Sequence, residues 1–128
     1  MLRGASADAL RELSGQLGSS GTLEDQAQLG RDLFGVVGVL RGDPALRRAL
    51  TDNSVEGDSK AGLATAVFGK AVVEKAASLV ADASSRRWTS SADLGTVLEQ
   101  LAVFSTVRSA GAKGKQVGDE LFLSLIHI

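Results

Sequence analysis

The sequence predicts an all-α protein: a compact six-helix bundle, followed by a flexible connector and a short non-native tail. Aromatic residues make up only 4% of the chain, and Tyr is absent. Leu, Val and Ala must therefore build the core, which suits packed helices better than sheets. Apolar residues also recur at helical spacing between short turn-forming segments. No alternating strand pattern of useful length precedes the last few residues.

The first predicted helix runs from about Ala5 to Leu17. Leu10, Leu13 and Leu17 follow each other at helical spacing and share one face. Gly18 is well placed to end this helix as a left-handed cap, since glycine adopts that conformation at no steric cost.

A second helix is predicted from Thr22, which with Asp25 resembles a capping box, to about Arg41. The residues expected in the core are Ala27, Leu33, Phe34, Val37 and Leu40. Three glycines interrupt this helix, at a cost of about 1 kcal/mol each against Ala. They are Gly30, Gly35 and Gly38, and either a neighbouring helix approaches them closely or they are simply tolerated.

Asp43 followed by Pro44 predicts the start of a short third helix, because an N-cap side chain and proline in the first turn both favour helix initiation. This helix would bury Leu46 and Leu50. Residues 52–54 are expected to end it and to cap the fourth.

The fourth helix is expected to end at Gly69, and its apolar residues are Leu63, Val67 and Phe68. The fifth is expected over about residues 72–84. A segment containing Trp88 then leads into the sixth. The core residues expected on the sixth helix are Leu94, Val97, Leu98, Leu101 and Phe104.

Composition and charge exclude several classes of function. The net charge is −1 with no basic stripe, which argues against nucleic-acid binding. Cysteine is absent and the only histidine is His127, so thiolate chemistry and histidine-based sites are excluded from the body of the chain. No apolar run approaches the length of a membrane span, so direct membrane insertion is not expected. The chain is expected to be soluble and intracellular.

Two sequence patterns superficially resemble ligand-binding sites. Residues 111–118 are rich in Gly and Lys, but their spacing differs from that of a phosphate-binding loop, and a connector explains them better. Asp52, Glu56 and Asp58 could be imagined as metal ligands, yet caps and helix-dipole partners at a helix start explain them better. Neither a cofactor nor a metal is predicted, and an enzyme is not expected.

The order of several motifs resembles the delta subunit of bacterial F-type ATP synthases, whose mitochondrial counterpart is the oligomycin-sensitivity-conferring protein. The motifs are residues 43–52, Lys60 in a short helix ending at Gly69, residues 87–94 and residues 98–101. The resemblance covers about residues 3–122 and rests on order and spacing.

This resemblance implies a non-catalytic stator subunit. Its N-terminal six-helix domain would hold the N-terminal helix of an alpha subunit on top of the catalytic hexamer. Its C-terminal part would join the b subunits of the peripheral stalk. The expected location is the cytoplasmic face of the bacterial membrane, as a peripheral part of the complex.

By the same resemblance, the groove for the alpha helix lies between the first and fifth helices, and small apolar side chains suit such a groove. The residues implied in docking are Ala5, Ala9, Leu10, Ala76 and Val80. Ordinary core positions are the alternative for each. Trp88 is interpreted as a structural plug between helices five and six, with a binding anchor as the alternative. Arg87 and Asp93 match positions that recur in the family pattern, and pairing within the bundle or capping is the alternative for both.

The expected domain organisation is a bundle over residues 1–108 and, over 109–122, the start of a connector to a missing C-terminal domain. Residues 123–128 look like a translated sequencing-adapter end, and a genuine apolar terminus is the alternative. A generic helical adaptor or regulator that binds another amphipathic helix is the rival function.

Overall fold

The computed structural model describes residues 4–16 and 23–113. Within these residues the chain forms six helices and no strand, which confirms the predicted all-α class. They are α1 (Gly4–Gln16), α2 (Leu23–Gly42), α3 (Pro44–Thr51), α4 (Gly57–Phe68), α5 (Glu74–Ser85) and α6 (Asp93–Lys113). The predicted caps at Gly18 and Thr22, and all predictions for residues 114–128, lie outside the described residues.

The start of α3 is as predicted. The Asp43 carboxylate accepts a hydrogen bond from the backbone N–H of Leu46 at 3.1 Å, and Pro44 occupies the first turn. The end of α6 lies further along the chain than expected. This helix continues to Lys113, beyond residue 108, so the first residues of the predicted connector are helical.

The predicted cap of α4 is wrong. Glu56, not residues 52–54, stands at its N-cap and makes no side-chain capping bond. The Asp52 carboxylate instead closes a local turn by accepting bonds from the backbone N–H and the hydroxyl of Ser54, at 2.9 and 2.6 Å. A short polar side chain competes well for such nearby backbone groups, so it ends α3 without starting the next helix.

The bundle is organised around α2 and α6, which pack antiparallel. Arg41 near the end of α2 pairs with Glu99 in the first half of α6. Gly30 near the start of α2 lies against Ala102 and Thr106, further along α6. The α4–α5 pair forms the other large contact, while α1 packs against α6 and α5. Leu and Val side chains from these helices form one continuous core.

The three glycines of α2 separate into two kinds. A Cβ at Gly30 would lie 2.6 Å from the Thr106 Oγ1 and 3.1 Å from the Ala102 carbonyl oxygen, so close helix approach explains this glycine. Gly35 and Gly38 are exposed and face open space. The protein's own packing therefore does not require glycine at these two positions.

Four large apolar residues are about two-fifths exposed, and two of them, Phe34 and Phe104, were expected in the core. The four are Phe34 (42%), Leu63 (38%), Val67 (42%) and Phe104 (41%). In α2, Leu33, Val37 and Leu40 already occupy the inward stripe, and Phe34 lies at its edge. In α4 the inward row is Lys60, Ala64 and Phe68, at i, i+4 and i+8.

Candidate helix-docking surface

Two polar contacts fix α1 against the region where α5 ends. The Ser6 side chain is fully buried, and its Oγ accepts a hydrogen bond from the backbone N–H of Thr89 at 2.8 Å. In the second half of α1, the Glu12 carboxylate forms an ion pair with Arg86. The position of α1 relative to α5 is therefore set by both polar and apolar contacts.

The five docking residues implied by resemblance fall into two groups. Ala9, Ala76 and Val80 are buried, with 2%, 0% and 0% of their surface exposed. Ala5 is exposed and Leu10 is half-buried, packed against the edge of the core. Only the second group can meet a partner while α1 and α5 keep their positions.

A shallow depression lies beside the first two turns of α5. Glu74, Lys75, Ser78 and Leu79 line it. Leu79 is 3% exposed and forms its apolar part, while the other three supply polar atoms. The depression therefore lies on α5, one of the two helices between which the groove was expected.

The segment that joins α5 to α6 is held by side chains from distant parts of the chain. We call residues 86–92 the α5–α6 corner. The Lys60 Nζ donates to the Arg86 carbonyl oxygen at 2.8 Å. The Asn53 side-chain amide donates to the Trp88 carbonyl oxygen at 2.7 Å and accepts from its N–H at 2.9 Å.

Trp88 itself is buried, with 2% of its surface exposed, as expected for a structural plug. Its indole N–H donates to the Ala83 carbonyl oxygen at 3.0 Å. An unsatisfied indole N–H in the core would cost free energy, and this bond to a buried carbonyl near the end of α5 satisfies it. The corner thus combines a large apolar side chain with satisfied polar groups.

The two arginines at this corner differ in exposure. Arg87 is exposed, whereas Arg86 is largely covered and pairs with Glu12 and, at 3.4 Å, with Asp82. Burial opposes the charge of Arg86, yet the bonds to Glu12 and the charge of Asp82 leave its pKa above the ordinary value. Burial lowers the pKa of Lys60, against the opposing charge of Asp52.

The described residues contain no group of three or more Asp, Glu, His or Cys side chains that could hold a metal ion. None of the helices over 4–16 and 23–113 is both long and apolar enough to span a membrane.

Several contacts made at the α5–α6 corner were not predicted from the sequence. Lys60 is spaced at i, i+4 and i+8 with Ala64 and Phe68, and that spacing was a usable sign that the lysine faces inward. The pairing of Asn53 with Trp88 and of Ser6 with Thr89 joins positions 35 and 83 residues apart. No local pattern indicates such contacts.

Comparison with known proteins gives a consistent set of relatives. No family model matches the chain. It is 41% identical over 124 residues to ATP synthase subunit delta of a Nocardioides strain, covering 95% of this chain and 45% of that protein. It is 38% identical over 122 residues to ATP synthase subunit delta of Corynebacterium glutamicum, covering 94% and 45%. The subunit of Streptomyces coelicolor is 37% identical over 125 residues, covering 94% and 46%. The chain therefore spans about half the length of the curated relatives it matches.

Proposed function

Because this chain belongs to the family of the ATP synthase delta subunit, we propose that it acts as the part of a peripheral-stalk subunit that holds the F1 alpha/beta hexamer. In this proposal its partner is the N-terminal helix of an alpha subunit. The b subunits of Fo would be reached through a further region, corresponding to the remaining length of the relatives. The whole complex would couple proton flow to ATP synthesis on the cytoplasmic face of the bacterial membrane, with no catalysis by this chain.

One observation carries the proposal: the similarity at 41% identity extends over 95% of the chain and so includes every helix of the bundle. A stator must resist torque without deforming, and the tied α1–α5–α6 arrangement suits that task. Ser6 and Glu12 hold α1 at two separate points, so a helix docked on α1 and α5 would meet a rigid surface.

The docking site is proposed between α1 and α5. Ala5 and Leu10 would contact the alpha helix directly, because they are the accessible members of the implied set. The spacing between α1 and α5 would be set beneath the docking surface by Ala9, Ala76 and Val80, because their small side chains are enclosed in the core. An apolar stripe on the alpha helix, flanked by polar residues, matches this helix-in-groove mode.

Calorimetry with a peptide that copies the alpha-subunit N-terminus of Corynebacterium glutamicum tests this proposal. We expect saturable binding, weakened roughly tenfold or more by Ala5→Glu, since a carboxylate would be placed in an apolar contact. Ala49→Glu is the matched control, because Ala49 is equally an exposed helical alanine but lies on α3.

Two results would overturn the proposal. One is the absence of binding to the peptide and to purified F1 by a folded chain. The other is equal weakening by Ala5→Glu and Ala49→Glu, which would place the contact elsewhere. A generic adaptor would instead bind unrelated amphipathic helices as tightly as the alpha peptide.

A further inference from the structure

Helix α4 buries its lysine and leaves two of its larger apolar residues exposed. Its sequence contains two charged residues, Asp58 and Lys60, and the lysine is buried with 2% of its surface exposed. Leu63 and Val67 point outward and are 38% and 42% exposed. A helix on the surface of a bundle ordinarily turns its charged side chains to water and its apolar ones to the core.

The exposed side of α4 is both apolar and shallow. We call Gly62, Leu63, Ala66 and Val67 the α4 face; all four are exposed, and a Cβ added at Gly62 would meet open space. Small residues beside larger apolar ones form the kind of groove into which the ridges of a second helix pack. Between Asp58 and Lys70 this side carries no charged residue.

Two further valines next to α4 are also exposed. Val55 precedes α4 and is 40% exposed, and Val73 follows it and is 38% exposed. The helix itself has 12 residues, about three turns, which is long enough for a partner helix to lie along it.

The charges at the two ends of α4 favour a partner helix that lies antiparallel to α4. Glu56 and Asp58 are exposed at the start of α4, and Lys70 is exposed just beyond its end. A helix lying antiparallel would bring its own acidic first turn to Lys70 and its basic last turn to Glu56 and Asp58. Antiparallel packing also sets the two helix dipoles in opposite directions, which is the favourable arrangement.

We propose that the α4 face is a second docking site, which binds an amphipathic helix of a neighbouring subunit in the assembled complex. That helix lies antiparallel to α4, with its apolar stripe on Leu63 and Val67. Carboxylates in its first turn meet Lys70, and cations in its last turn meet Glu56 and Asp58. The inference rests on the proposed function, because the complex supplies the partner.

The absence of cysteine from the chain allows a direct test. Val67→Cys and Ala49→Cys each introduce one thiol at an exposed helical position, on α4 and α3 respectively. The rate of maleimide labelling is measured for each variant, free and bound to F1 from Corynebacterium glutamicum depleted of its own delta subunit. We expect binding to slow labelling at Val67→Cys by about tenfold or more, since an interface core excludes water, with little change at Ala49→Cys.

A photoreactive benzophenone-maleimide on the same Val67→Cys thiol then identifies what covers the face. A cross-link to another subunit of the complex supports the proposal, whereas a cross-link to a second copy of this chain overturns it. Reversing the charge with Lys70→Glu should weaken binding to F1 at low salt and lose this effect at high salt, because the contact is a screened surface interaction.

The failures of the two proposals are distinguishable. If the chain binds F1 and Ala5→Glu weakens it, but Val67→Cys labels equally fast free and bound, only the α4 proposal fails. If the folded chain binds neither F1 nor the alpha peptide, both fail.

Discussion

The α5–α6 corner and the α4 face place their apolar side chains in opposite ways, buried at the corner and exposed on the face. At the corner, Trp88 is buried and the polar groups around it are paired with Asn53, Lys60 and Ala83. On the α4 face, Leu63 and Val67 remain exposed. From this comparison we expect the stability of the isolated chain to depend much more on the corner than on the α4 face.

The largest loss of stability is expected when Trp88, the side chain that fills the corner, is truncated. Trp88→Ala should lower the free energy of unfolding by about 3–5 kcal/mol, because it leaves a cavity in the core and removes the indole hydrogen bond to the Ala83 carbonyl. Urea unfolding followed by far-UV circular dichroism measures the loss. A loss below about 1 kcal/mol would mean that the corner does not stabilise the bundle.

Two glycines of α2 allow a similar comparison, because Gly30 lies close against α6 and Gly35 faces open space. Gly30→Ala should destabilise by about 1–3 kcal/mol, because its Cβ would meet Thr106 and the Ala102 carbonyl. Gly35→Ala should instead stabilise by up to about 1 kcal/mol, since its Cβ would meet nothing and alanine favours the helix. Thermal unfolding of both variants gives the two signs, and equal signs would contradict the described α2–α6 packing.

The buried ammonium of Lys60 predicts a particular dependence on pH. Because burial lowers its pKa in the folded state, the unfolded chain binds more protons between the folded pKa and the ordinary one. The free energy of unfolding should therefore rise with pH across that window, relative to a Lys60→Met variant, which has no titrating group. Parallel urea titrations of both proteins at increasing pH check the sign, and a falling difference would contradict the burial of the charge.

The smallest effect is expected on the α4 face. Leu63→Gln should change the free energy of unfolding by no more than about 0.5 kcal/mol, because the side chain is already partly in water and makes few enclosed contacts. Urea unfolding is again the measurement. A loss comparable to that of Trp88→Ala would show that this face is covered within the isolated chain and remove the contrast.

The sequence predicted the helices well and their orientation less well. The Asp43–Pro44 start of α3 and the core side of α6 from Leu94 to Leu101 follow from local rules, and the structure agrees. The sequence pattern did not predict that Lys60 lies on the inward face of α4. Burial of that lysine depends on the Arg86 carbonyl, which lies 26 residues away.

The surface near the expected docking groove was predicted only in part. Resemblance directed attention to α1 and α5, but it could not tell which positions stay accessible, since this depends on how α1 packs. Ser6 and Glu12 determine that packing, and both contact residues near position 86–89. Such contacts are invisible to any window of neighbouring residues.

The contacts that hold α1 against the α5–α6 corner have a consequence for how the protein folds during synthesis. Ser6 meets a residue 83 positions later, and Glu12 one 74 positions later, whereas α4 and α5 are neighbours in sequence. Closing so long a loop is slow compared with forming a local helix pair. On the ribosome, α1 must therefore wait until α5 and the corner have emerged. The helix that would grip alpha is expected to be the last to take its place.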